Sequence, residues 1–212
     1  MRRLALALIA ALWAAGAEPA VAQVVSAGVR GGLNWATSDV GGFLFTEDVG
    51  TRSGSHVGLI AKADLSRYFA VQFEAVYSQK GFAEGDGVVA LDVNYVELPV
   101  YLVVQLPGRI SPHLLAGLVL GLETGCTATT ATQRDVTCAD IAAGPRTKGA
   151  DSGLIFGLGV SLDAGPGQAF VDGVYNLGLT DIAQVSLEVT RIKTRTFYAS
   201  AGYMIKIGSA SR

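Results

Sequence analysis

The chemistry open to this chain is narrow, because its 212 residues include only two histidines and two cysteines. These are His56, His113, Cys126 and Cys138. Hydrolysis through a nucleophile would need a Ser or Cys activated by a His that a carboxylate in turn orients. Ser55 stands beside His56, but neighbours along a strand point to opposite faces, so adjacency does not make them a pair. His56 falls at one rim of the architecture inferred below and His113 near the opposite end, which argues against a shared centre. The two cysteines lie in the polar stretch 124–138 with no His nearby, which is not a zinc ligand set. In an oxidising compartment they are expected to form a disulfide that pins one long loop, worth about 3 kcal/mol in the chain-entropy model. No Gly-rich segment leads from a strand into a helix, so the 27 glycines do not form a phosphate cradle. No catalytic residue, metal or cofactor is expected. The net charge of −2 supplies no basic field for nucleic acid, which is not expected as a partner.

The other chemistry on offer is ion pairing. Arg30, Lys62, Lys80 and Lys206 share the polar faces of the segments described next with Asp64, Glu74, Glu97, Glu123, Asp163 and Asp172. An unpaired buried ion is costly, so opposite charges brought into a narrow space are expected to pair. The reading is a hydrogen-bonded charge network and not a reactive centre.

The elements that must position these charges are strands, because the repeating signal has period two and not 3.6. In 24–36, Val25, Ala27, Val29, Leu33 and Trp35 share one face, and Ser26, Gly28, Arg30, Gly32 and Asn34 the other. The same segregation recurs in 56–66, 69–81, 95–105, 113–123, 153–163, 170–180 and 194–207, with Pro99 out of place in the fourth. No apolar face carries a charge. The inward glycines are expected to make room for long polar neighbours or to bend the strands.

The flanking segments say where such strands go. Met1-Arg2-Arg3, an uncharged run over 4–17 and the triplet Ala20-Val21-Ala22 read as a signal peptide (1–22) cut after Ala22. The run is shorter than the roughly 20 residues a spanning helix needs, and nothing after Ala22 is long and apolar enough. Residues 23–212 suit one domain. Long polar connections (37–55, 82–94, 124–152, 181–193) alternate with short ones (67–68, 106–112, 164–169), which is the asymmetry of outer-membrane barrels. The expectation is therefore all-β: an eight-stranded antiparallel up-and-down transmembrane barrel in the outer membrane of a Gram-negative bacterium, closed around a polar interior. Its expected partners are outer-membrane lipid, the barrel-assembly machinery during biogenesis and an extracellular partner at the loops. Phe43, Leu44 and Phe45 are apolar residues of the first loop, placed to touch lipid, such a partner or the barrel rim.

Four stretches carry a family resemblance: 28–34 (GVRGGLN), 72–81 (QFEAVYSQKG), 95–102 (YVELPVYL) and 174–181 (VYNLGLTD). Together they resemble the PorT-like outer-membrane β-barrels over nearly all of 23–212. The resemblance implies an eight-stranded OmpA/OmpX-type barrel, with Glu97 and Pro99 at the family's Glu-x-Pro element. Val174 departs from it, standing where an Arg commonly precedes the Tyr-Asn pair. Architecture and location follow from such a resemblance, and a molecular activity does not. The functional expectation is a structural or interaction-mediating barrel plugged by mixed charges, with a narrow gated pore and a lipid-modifying enzyme as alternatives.

Overall fold

The computed structural model describes residues 24–41, 46–48, 52–84, 89–130, 136–137, 150–179 and 191–209. The expected signal peptide, Phe43 to Phe45 and Cys138 lie outside the described residues. The described residues form ten strands: β1 Val24–Gly41, β2 Thr46–Asp48, β3 Arg52–Asp64, β4 Phe69–Glu84, β5 Val89–Gln105, β6 Ile110–Thr130, β7 Val136–Thr137, β8 Ala150–Ala164, β9 Gly167–Gly178 and β10 Arg191–Ser209. Eight of them pair antiparallel in chain order, and β10 returns to pair with β1, so the sheet is closed. β2 and β7 are short additions to β1 and β6 at the end that bears the long connections, called here the outer end.

The strands are longer than the alternation alone delimits. β5 begins at Val89 and β6 runs on to Thr130, so much of two expected loops is sheet. Alternation is imposed only where one face meets lipid, and beyond that zone backbone pairing can continue with any residue.

The register fixes the girth. Crossing from Ser26 through paired Lys62, Gln72, Tyr101, Gly117, Ile155, Asn176 and Thr196 returns to β1 at Ala36, a stagger of ten residues. With about 3.3 Å per residue along a strand and about 4.8 Å between strands, this tilts the strands by roughly 40°. The backbone cylinder is then about 8 Å in radius, which side chains can fill.

Outward positions form an apolar band. Leu59 is 64% exposed and Leu118 60% exposed, and Leu114 and Leu158 are exposed alongside them. Exposure on this scale has a low free energy only in hydrocarbon. Toward the outer end the band closes on an aromatic row in register across four strands: Trp35, Phe197, Tyr175 and Phe156. Trp35 and Phe197 have ring centroids 5.9 Å apart, and Phe156 and Tyr175 5.6 Å.

The interior is mixed and not simply polar, which corrects the expectation. Leu115, Val119, Ile155, Phe170, Val174 and Met204 are buried beside the charges. Eight strands enclose a lumen narrow enough for apolar side chains to meet one another at its centre. Pro99 also points inward, and the ladder between β4 and β5 is interrupted there, between Phe73↔Val100 and Val76↔Glu97. Lacking an N–H, Pro99 cannot complete the pair with β4.

Candidate functional site in the lumen

The charged side chains are carried inward by the parity of their strands, and the stagger sets their depth. At the inner end, Lys62 Nζ donates to Gln105 Oε1 at 2.5 Å and lies 3.5 Å from Asp64 Oδ1, while Gln105 Nε2 donates to the same Asp64 oxygen at 3.0 Å. Nearby His113 Nε2 meets Asp172 Oδ1 at 2.9 Å. His113, Gly159 and Asp172 are paired across β6, β8 and β9. A Cβ on Gly159 would lie 2.2 Å from Asp172 Oδ1 and 2.6 Å from His113 Nε2. Only glycine leaves room there for the two side chains to meet over it.

At mid-depth, Arg30 on β1 braces the barrel. Its Nη1 donates to Glu74 Oε1 on β4 at 2.5 Å, and its Nη2 donates to Ser200 Oγ on β10 at 2.6 Å and lies 3.9 Å from Asp172 Oδ2 on β9. Gln72 Nε2 supplies Glu74 with a second donor at 2.7 Å. Ser200 Oγ also lies 2.8 Å from His56 Nε2. Arg30 and Glu74 are both buried, so the guanidinium is held by fixed protein partners in place of water.

Toward the outer end, Lys80 Nζ donates to Glu97 Oε1 at 2.5 Å and sits 5.3 Å and 5.6 Å from the ring centroids of Tyr95 and Tyr198. Tyr198 reaches from β10 to donate its hydroxyl to Glu97 at 3.0 Å. The ammonium is thus held by a carboxylate and two aromatic faces together.

Of the residues picked out from sequence, Arg30, Lys62, Asp64, Glu74, Lys80, Glu97 and Asp172 lie in these three tiers. Glu123 is half-buried beyond the outer tier, and its Oε2 has no partner among the described residues. Lys206 is exposed at the inner rim, next to a bulge where Val25↔Gly208 gives way to Ser26↔Lys206, and is not part of the network. Asp163 is exposed too and accepts from Gln168. His56, expected at a rim, is buried beside Tyr198. Cys126 is buried on β6.

Sequence reasoning missed one arrangement. Ser161 Oγ lies 3.3 Å from His113 Nδ1, whose other ring nitrogen faces Asp172, which is the connectivity of a Ser-His-Asp triad. Inward parity was its only signal, since the three residues sit on three strands. Ser161 is 3% exposed, and the cavity beside it measures about 10 Å³. An acyl group has no space there, so the contacts hold His113 in place and do not prepare an attack.

Two comparisons bear on the architecture. Residues 21–184 match the family model described as outer membrane protein beta-barrel domain. Among solved structures, Neisserial surface protein A is similar with a TM-score of 0.52 at 15% identity, over 85% of this chain and 97% of that one. OprG from Pseudomonas aeruginosa gives 0.51 at 14% identity, over 90% and 99%. AlkL, solved in lipid bilayers, gives 0.52 at 14% identity, over 90% and 93%. No curated protein matches the chain.

Proposed function

We propose, on the premise that the chain belongs to the outer membrane protein β-barrel domain family and resides in the outer membrane, that it is a non-catalytic barrel whose lumen stays closed. Its role is structural and surface-presenting: the barrel anchors the outer-end hairpins, and these meet the extracellular partner. The observation that carries this reading is that Glu97 on β5 binds both Lys80 and, from the far wall, Tyr198 on β10, while Arg30 ties Glu74 on β4 to Ser200 on β10, in a lumen whose outer cavity measures about 20 Å³. A hydrated ion cannot pass a space that admits one or two waters. Planar-bilayer recording of the purified protein in potassium chloride should stay silent. Discrete conductance steps from the wild type would overturn the closed-lumen reading in favour of a narrow pore.

The narrower kinship with PorT-like barrels is part of this proposal. It is supported by Glu97 and Pro99, which both face the lumen beside the Lys80 tier. So is the disulfide. Thr127↔Thr137 and Ala128↔Val136 are paired between β6 and β7, and in the sequence Cys126 precedes and Cys138 follows this paired stretch by one residue. Directly opposed strand residues are about 4.5–5.5 Å apart at Cα, within the range a disulfide spans. Intact mass of protein purified from the outer membrane should equal residues 23–212 less two hydrogens. That one measurement reads both the disulfide and removal of the segment ending at Ala22.

A further inference from the structure

We propose that the outer half of the lumen is a resident water site and the inner half is dry, a division that rests on the closed-lumen reading above. The outer cavity, about 20 Å³, is bounded among others by Arg30, His56, Glu97, Asn176 and Tyr198. The inner one, about 10 Å³, lies among Lys62, Gln72, His113 and Asp172. Holding one water takes about 10–15 Å³ on this measure, together with two to four polar partners. The inner cavity sits at the edge of that range, and its polar walls are already paired with one another or with Gln105 and Glu74.

The outer cavity exceeds the threshold, and unpaired polar atoms gather in that part of the lumen. Arg30 Nε, His56 Nδ1, Asn34 Oδ1, Asn176 Oδ1 and Thr196 Oγ1 have no hydrogen-bond partner among the described residues. All five residues are deeply buried, from Asn34 at 0% exposed to Asn176 at 6%. Arg30, His56 and Asn176 face the cavity itself. Thr196 is paired with Asn176 across β10 and β9. Buried groups left in this state are destabilising, so a ligand is called for.

The mixture of atoms selects the ligand. Of the unpaired atoms on residues that face the cavity, Arg30 Nε can only donate and Asn176 Oδ1 can only accept, while His56 Nδ1 does one or the other according to its tautomer. A cation would satisfy the Asn176 oxygen and leave Arg30 Nε unmet beside a second positive charge. An anion would meet Arg30 but face the Asn176 oxygen and the carboxylates of Glu74 and Glu97. Water donates and accepts, and one or two molecules fit the volume. The Lys80–Glu97–Tyr198 tier bounds this site on the outer side, and the Arg30–Glu74 brace bounds it on the inner side.

Methyl-labelled protein in micelles tests the division directly. Ile155 lines the outer cavity and Met204 the inner one, and both are buried. Cross-relaxation from water should reach the Ile155 δ1 methyl and not the Met204 ε methyl. Absence at Ile155, or equal transfer at both, would overturn the proposal. Thr196→Val is the second arm. If a water is bound, removing the hydroxyl lowers the urea midpoint; in a dry chamber it removes an orphaned group, and an unchanged or raised midpoint would refute the water site. A wild-type midpoint that moves when sodium chloride is exchanged for choline chloride would point to a bound cation instead. None of these outcomes touches the conductance result, so failure of the water site and failure of the closed lumen remain separable.

Discussion

Arg30 and Lys206 look alike in the sequence, as basic residues on the polar face of a strand, and the barrel uses them in opposite ways. Arg30 is 4% exposed and holds Glu74, whereas Lys206 stands at the inner rim in solvent. Removing one partner of a buried ion pair leaves the other uncompensated, which costs about 3–5 kcal/mol. Glu74→Ala should therefore lower the unfolding free energy by about that much in urea titrations. Lys206→Ala should stay within about 0.5 kcal/mol of wild type, as exposed sites do. Equal effects at the two sites would mean that Arg30 and Glu74 are not the brace described. Period two separated the two faces correctly, but depth along the barrel depends on a stagger that only the pairing register defines. For that reason Lys206 was grouped with Arg30, and the contact of His113 with Asp172 over Gly159 could not be read from the sequence.

At the scale of strands, the eight apolar faces were legible because hydrocarbon tolerates no charge on them. The strand ends were not legible, since above the lipid nothing forces alternation, and β5 and β6 run on through polar residues such as Asp92 and Thr127. Inward apolar residues such as Ile155 and Val174 were also unmarked, because an apolar residue on the wet face leaves no signature in a half-apolar chain. The face assignment has a sharp consequence. Leu118→Arg puts a charge on the lipid side of β6 and should destabilise the folded barrel by about 2–4 kcal/mol in lipid vesicles. Wild-type stability of that variant would mean that the faces are inverted.

For the whole molecule, closure is the decisive property, because an open sheet would leave two rows of backbone groups unpaired in hydrocarbon. A closed barrel of this kind should survive in dodecyl sulfate at room temperature and unfold on boiling, so heated and unheated samples should migrate differently on a gel. Identical migration would count against a barrel closed by β1 and β10. The sequence announced closure only indirectly, through the even number of strands and the alternation of long and short connections.

The seam that closes the cylinder pairs Val24 with Ser209 and Gly41 with Arg191. It therefore joins the first and the last of the described strands. In any partly assembled sheet β1 has β3 beside it, but its other edge stays bare until β10 docks. Order of assembly thus follows from topology: local hairpins can form early, but the cylinder exists only once β10 has docked on β1. Until then the unclosed sheet exposes two adhesive edges and an oily face together, which is the state most prone to aggregate. The interval before the seam forms, more than the depth of the final energy well, is the vulnerable stage of folding for such a cylinder.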